Sequence, residues 1–157
     1  MFWSLGFMWN IKNEAFLKEI EWLTNAQIKL STGTSGNSEI PYYDHLALVA
    51  GDANYNDEAG IYPKQSGNEE LSWEQTWANN IGLTLGFFNR VNLNVDFYHK
   101  KTTNMLMLVP QSYAITGVGN RWDNIGAMMN RGVEIAMDGD VIRTKYFTWN
   151  LSANVSY

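Results

Sequence analysis

The sequence contains no cysteine, which excludes disulfides and thiolate-held metals. It has no run of about 18 apolar residues, so no helix of it is expected to cross a membrane. It is short of positive charge: 11 Lys and Arg stand against 16 Asp and Glu, for a formal net charge of −5. No basic block is longer than Lys100–Lys101, and no nucleic-acid partner is expected. Histidine is nearly absent. His45 and His99 have no ligand-spaced partner, so neither metal binding nor histidine acid–base catalysis is expected. The start, Met1-Phe2-Trp3-Ser4, lacks the basic and apolar regions of a secretory leader. An outer-membrane or secreted reading therefore expects a further segment upstream.

What is present is unusual in its combination. There are 7 Trp, 8 Tyr and 7 Phe, yet the mean hydropathy is −0.29. Abundant aromatics with much Asn, Ser, Thr and Gly suit a surface half apolar and half wet. In "NIGLTLGFFNRVNLNVDFYHKK", Ile81, Leu83, Leu85 and Phe87, then Val91, Leu93, Val95 and Phe97, share one face. Asn80, Gly82, Thr84 and Gly86, then Asn92, Asn94, Asp96 and Tyr98, share the other. This period of two predicts a hairpin. "FWSLGFMWN" alternates in the same way, with Trp3, Leu5, Phe7 and Trp9 on one side, as do "AQIKLSTG", "NRGVEIAMDG" and "YFTWNLSANVSY". Between the first two strands, "NEAFLKEIEWL" is expected to hold a short helix capped by Asn13, with Glu14 in its first turn.

The fold class expected is all-β, an antiparallel meander of about six strands with two long loops. Short connections (11–23, 88–90, 138–146) alternate with long, irregular ones (33–72, 103–127), which places all the long ones at one end of the sheet. The apolar faces have two possible covers, lipid or a second sheet. Two features favour lipid. The other faces carry short polar side chains rather than Lys and Glu, and the short-turn, long-loop asymmetry is that of outer-membrane barrels. Trp3, Trp9, Trp73, Trp77, Phe87, Phe88, Tyr146, Phe147 and Tyr157 are candidates for the interfacial girdles. The alternative is a self-contained soluble β-sandwich that binds carbohydrate through loop aromatics.

The sequence also resembles the C-terminal barrel region of the SusC/RagA-type TonB-dependent outer-membrane transporters. The matching blocks are "FWSLGFMWNIKNEAFLK", "IKLSTGTSGNSEI", "LSWEQTWANNIGLTLGFFNRVNLNVDFYHKKTTNMLMLVP", "NIGAMMNRGVEIAM" and "FTWNLSANVSY", in order along nearly the whole chain. Leu71 to Pro110 is the most specific. The resemblance implies a wall segment of a large barrel in the outer membrane of a Gram-negative bacterium, importing glycan or peptide fragments. It implies as partners outer-membrane lipid, a SusD-like surface lipoprotein, an oligosaccharide or peptide ligand, and the TonB complex acting through segments outside this chain. Residues 1–157 are expected to form a partial transmembrane barrel with no plug domain, signal peptide or TonB box, because six strands cannot close a barrel of about 22.

No catalytic residue, cofactor or metal is expected. "DANYND" (Asp52 to Asp57) spaces oxygens as a calcium loop does, but Asp57 and Pro63 occupy the positions that need Gly and Glu. Glu69–Glu70 and Asp138/Asp140 are carboxylate pairs expected in solvated turns. "GVGNR" (Gly117 to Arg121) has no helix after it for a phosphate. Asn150-Leu-Ser152 and Asn154-Val-Ser156 lie in a strand, where a glycosylation match is fortuitous. The functional candidates are loop residues: Tyr42, Tyr43, Asp44, Tyr55, Tyr62, Tyr113, Arg121 and Trp122. They offer flat rings for sugar faces and polar groups for hydroxyls. The competing reading is that they pack the loops together or touch the lipoprotein partner.

Overall fold

The computed structural model describes all 157 residues except the side chain of Tyr55. Ten strands occur in chain order: β1 (Trp3–Asn10), β2 (Leu23–Asn37), β3 (Leu48–Tyr55), β4 (Glu58–Gln65), β5 (Glu74–Phe87), β6 (Val91–Thr103), β7 (Leu106–Pro110), β8 (Asn120–Asn124), β9 (Ala127–Arg143) and β10 (Thr148–Ser156). Two one-turn helices join them, α1 (Ala15–Lys18) and α2 (Tyr113–Thr116).

Six strands form one sheet in the order β1-β2-β5-β6-β9-β10. This is the expected meander, since sheet order follows chain order. The long segments are less irregular than expected. Each holds a two-stranded hairpin, β3–β4 and β7–β8. The chain divides into two units, residues 1–34, 77–101 and 129–157, and residues 35–76 and 102–128. The first carries most of the six-stranded sheet and the second carries both small hairpins.

In the sheet unit the register fixes the faces. Leu5 pairs with Thr32, Phe7 with Leu30 and Trp9 with Ile28. Asn150 pairs with Asp140, Ser152 with Asp138 and Asn154 with Ala136. The odd positions of β5 fall on the apolar face, where the Trp77 ring meets Trp3 edge-on at 6.1 Å. The wet face is a cross-strand lattice of short side chains. Asn80 donates to Ser31 at 3.2 Å, Thr84 to Asn94 at 2.9 Å and Asn92 to Asp138 at 2.9 Å. Such pairs stabilise antiparallel neighbours and need no long charged side chain.

β9 is longer than its sequence pattern suggests. It runs to Arg143, with a register shift opposite Trp149/Asn150. Asp138 and Asp140 therefore sit in a strand, not in the solvated turn expected of them. Asp140 accepts from Asn150 at 3.3 Å. The pairs Asp138–Ser152 and Asp140–Asn150 leave the real turn to Thr144–Phe147, closed by the Thr144 N–H to Phe147 carbonyl bond of 2.8 Å.

The β1–β2 connection also departs from expectation. Asn13 ends a 3-10 turn (Ile11–Asn13), and the α1 N-cap is Glu14, without a side-chain capping bond. Lys12 holds the connection instead. Its Nζ donates to the carbonyls of Leu17 (2.8 Å) and Ile20 (2.8 Å). The Leu17 carbonyl also accepts the Ile20 N–H at 3.1 Å, so the cation adds to a turn already closed by the backbone, at the helix end where positive charge is favourable.

The sheet has almost no core of its own. Among the described residues, the buried apolar ones are Leu23, Ala26 and Val118. On the apolar face Leu5 is 66% exposed, Phe7 57% and Ile81 53%. Aromatic pairs mark both ends of this face. Trp3–Trp77 lies at one end, and at the other Trp22 stacks on Phe87 with centroids 6.0 Å apart. Trp77 and Phe87 are ten residues apart on β5. At about 3.3 Å per residue and a tilt of about 40°, they are separated by about 25 Å across the sheet, the height of the apolar band of a transmembrane barrel.

Candidate functional site

The loop unit carries the candidates named from the sequence. The β3–β4 turn is Asn56-Asp57, with φ of 54° and 64°. Two central residues at positive φ make the type I′ hairpin turn that Asn and Asp favour. "DANYND" is therefore turn chemistry. Among the described residues, no group of three or more His, Cys, Asp or Glu is arranged to hold a metal ion.

Asn68 ties the segments together. Its N–H bonds the His45 carbonyl at 3.0 Å, and its Nδ2 donates to the Trp122 carbonyl (3.0 Å) and to Asp123 Oδ1 (3.2 Å). Its Oδ1 accepts the Glu70 N–H at 3.1 Å. The preceding glycine permits this closeness. A Cβ on Gly67 would lie 2.6 Å from the Ala47 nitrogen. Gln65 reinforces the same seam, donating to the carbonyls of Tyr43 (2.8 Å) and Leu46 (2.7 Å).

The structure brings some candidates together and separates others. The Trp122 indole donates to Asp44 Oδ2 at 2.6 Å across 78 residues of sequence. Arg121 pairs with Asp123 at 2.7 Å. That guanidinium, with help from the Asn124 N–H and Asn68, holds the Asp123 carboxyl below its usual range against the opposing pull of desolvation. Tyr62 lies on β4, where its hydroxyl bonds Asp52, and the carboxylate raises the phenol above its usual value. Tyr113 opens α2 with its ring against Gly119. Tyr42 and Tyr43 are exposed, at 94% and 65%. The side chain of Tyr55 lies outside the described residues. Asp44, Trp122 and Arg121 thus spend polar groups on loop packing, while Tyr42, Tyr43 and Tyr113 present open ring surface.

A cleft of about 320 Å³ in the same unit is lined by none of these candidates. Its apolar lining is Ile40, Leu71, Trp73 and Leu106, with His45, Asn68 and Glu69 beside them. Ile40, Leu71, Trp73 and Leu106, apolar residues isolated in turn-rich stretches, are the signal of this cleft in the sequence.

Comparison with known proteins decides what the sheet belongs to. The family model for the TonB dependent receptor-like β-barrel matches residues 1–157. The chain belongs to this family. The TonB-dependent receptor P39 of Formosa agariphila is 37% identical over 150 residues, covering 95% of this chain and 14% of that protein. The TonB-dependent receptor SusC of Bacteroides thetaiotaomicron is 33% identical, covering 98% of this chain and 16% of that one. A solved structure of the RagAB peptide transporter superposes with a TM-score of 0.88 at 40% identity, over 99% of this chain and 17% of that one. The chain therefore spans about a sixth of the length of the relatives it matches.

Proposed function

We propose that residues 1–157 form a wall section of a TonB-dependent outer-membrane transporter that imports glycan or peptide fragments. The six strands supply wall, and segments 33–72 and 103–127 shape the outer vestibule. The uncovered apolar face carries this reading. It has exposed Leu, Ile, Phe and Trp side chains along its length, aromatic pairs at both ends, and a hydrogen-bonded polar lattice on the reverse. In lipid, backbone groups must be paired within the sheet, and neighbouring strands of a larger barrel would pair the outer edges of β1 and β10. A soluble sandwich needs an apolar core between two sheets, and Leu23, Ala26 and Val118 are too few for one.

On this reading the partners are outer-membrane lipid, a SusD-like surface lipoprotein over the loops, and the TonB complex engaging other segments. The compartment is the outer membrane of a Gram-negative bacterium. The role is transport without catalysis, as the relatives' names as receptors and transporters support.

The test is to express the full-length protein carrying this segment with a protease site at Asn56-Asp57. Cleavage of intact cells from outside, with the protein in the outer-membrane fraction, is expected. A soluble protein, or a site protected until cells are lysed, would overturn the proposal.

A further inference from the structure

On the transporter reading the apolar face of the sheet meets lipid, yet at one end that face is polar and cationic. Hydrogen bonds between strands fix which residues stand there. The Thr32 hydroxyl donates to Asn79 at 2.7 Å, which sets β2 against β5. The Thr84–Asn94 and Thr76–Thr102 bonds, 2.9 Å each, set β5 against β6 in one register. That register places Asn79 opposite His99 and Trp77 opposite Lys101. Asn92 bonds Asp138, and a Cβ on Gly132 would meet the Tyr98 ring, so β6 and β9 are aligned with Arg131 opposite His99. Asn79, His99 and Arg131 therefore form one row on the face of Leu5 and Ile81. Trp77 and Lys101 stand in the next row, toward segment 33–72.

These groups lack partners. Lys101 and Arg131 are exposed, and the ion pairs among the described residues are Arg121–Asp123 and Arg143–Asp140. The carboxylates of the same strands, Asp96, Glu134 and Asp138, stand on the wet face. The Asn79 Oδ1 accepts both the Thr32 hydroxyl and, at 3.3 Å, the Trp77 indole, which can only donate. Its amide nitrogen therefore faces away from them and has no bond among the described residues. At about 3.3 Å per residue and a tilt of about 40°, the Asn79 row lies about 5 Å below the Trp77 level, where headgroups give way to acyl chains. At that depth a cation calls for a counter-ion and an N–H for an acceptor. Beside Asn79 a groove of about 370 Å³ runs over Leu5, Phe7, Leu30 and Ile81.

The four parts match one kind of molecule. Phosphate suits the two cations, an acyl-linkage carbonyl suits the Asn79 amide, an acyl chain suits the groove, and a sugar ring suits the half-exposed Trp77 indole. We propose, resting on the transporter reading, that this patch binds one phosphorylated, acylated glycolipid of the lipid A type from the outer leaflet. Lys101 and Arg131 hold its phosphate, with His99 between Arg131 and Asn79 offering a ring N–H. Asn79 donates to its acyl linkage, and one chain lies in the groove.

The experiment uses the full-length protein, stripped of lipid in detergent, with its heat-modifiable gel mobility recorded in the same preparation. Native mass spectrometry reads binding of three probes: lipid A, phosphatase-treated lipid A and phosphatidylglycerol. One lipid A per protein is expected, bound at least about fivefold more tightly than either of the others. Lys101→Gln and Arg131→Gln are each expected to weaken it about fivefold in low salt and less in high salt. Asn79→Leu is expected to weaken it at any salt. Lys100→Gln, one residue away on the wet face, is expected to leave it unchanged.

Equal binding of treated and untreated lipid A, phosphatidylglycerol bound as tightly as lipid A, no lipid A bound, or Lys100→Gln matching Lys101→Gln overturns the proposal. If a variant does not migrate as a heat-modifiable barrel, the comparison of the three lipids on the unsubstituted protein decides. If the unsubstituted protein does not migrate as one, the transporter reading falls and this proposal falls with it. If it does and the lipids bind otherwise than expected, the proposal alone falls.

Discussion

Ile81→Arg separates lipid from water on the apolar face. Ile81 lies on the face that holds Leu5, Phe7 and Leu30, and these residues line one shallow groove. It is four residues from Trp77 and six from Phe87 along β5. With about 3.3 Å per residue and a tilt of about 40°, Ile81 sits about 10 Å below the Trp77 level, within a few ångströms of the middle of a band about 25 Å tall. An arginine at that depth costs about 2–4 kcal/mol. On a water-washed face, the same change falls within about 0.5 kcal/mol of neutral. Asn80→Arg, one residue away on the wet face, is the control, expected to cost less than about 1 kcal/mol. The assay is urea unfolding of the full-length protein refolded into lipid vesicles, followed by tryptophan fluorescence. An Ile81→Arg cost equal to that of Asn80→Arg would refute the assignment of faces.

Gly33→Val is expected to destabilise the β1–β2 pair by about 1–3 kcal/mol, because a Cβ at Gly33 would stand 2.8 Å from the Trp3 carbonyl oxygen; the same unfolding assay reads it. Asn68→Ala removes the side-chain bonds to residues 70, 122 and 123 and keeps the backbone bond to His45; it is expected to accelerate proteolysis within 66–72 and 120–124 severalfold while leaving barrel mobility on gels unchanged. Asp123 has its folded-state pKa lowered, chiefly by Arg121, from the ordinary 3.8. Its contribution is fully present above pH 3.8 and fades as pH falls through the lowered value. Asp123→Asn should flatten the loss of protease protection in acid, and no change in that profile would count against the pairing.

The wall was legible from sequence because a period of two is hard to mistake when Ile81, Leu83, Leu85 and Phe87 alternate with Asn80, Gly82, Thr84 and Gly86. The six strands and their order follow from that pattern alone. Their ends were not legible. β9 continues past Asp138 because its bulge breaks the alternation just where the sequence suggested a turn. The hairpins in the long segments were hidden for a different reason. Leu48–Tyr55 mixes small and polar residues without alternation, and its one clear signal, the type I′ turn at Asn56-Asp57, is masked by the calcium-like spacing of "DANYND". Tertiary bonds decided the candidate site. Nothing local to Trp122 announces that its indole reaches Asp44, or that Leu71 and Leu106, 35 positions apart, share a cleft.

The absence of cysteine allows the central claim to be tested directly. In a full-length protein cleared of any cysteines elsewhere, single cysteines are placed from Trp77 to Phe87 and labelled in vesicles with a water-soluble maleimide, while brominated lipid reports bilayer contact by quenching a fluorophore attached at each position. Lipid quenching at 81, 83 and 85, alternating with aqueous labelling at 80, 82 and 84, is the predicted result. Equal aqueous labelling at all six positions, with no quenching by lipid, would contradict it.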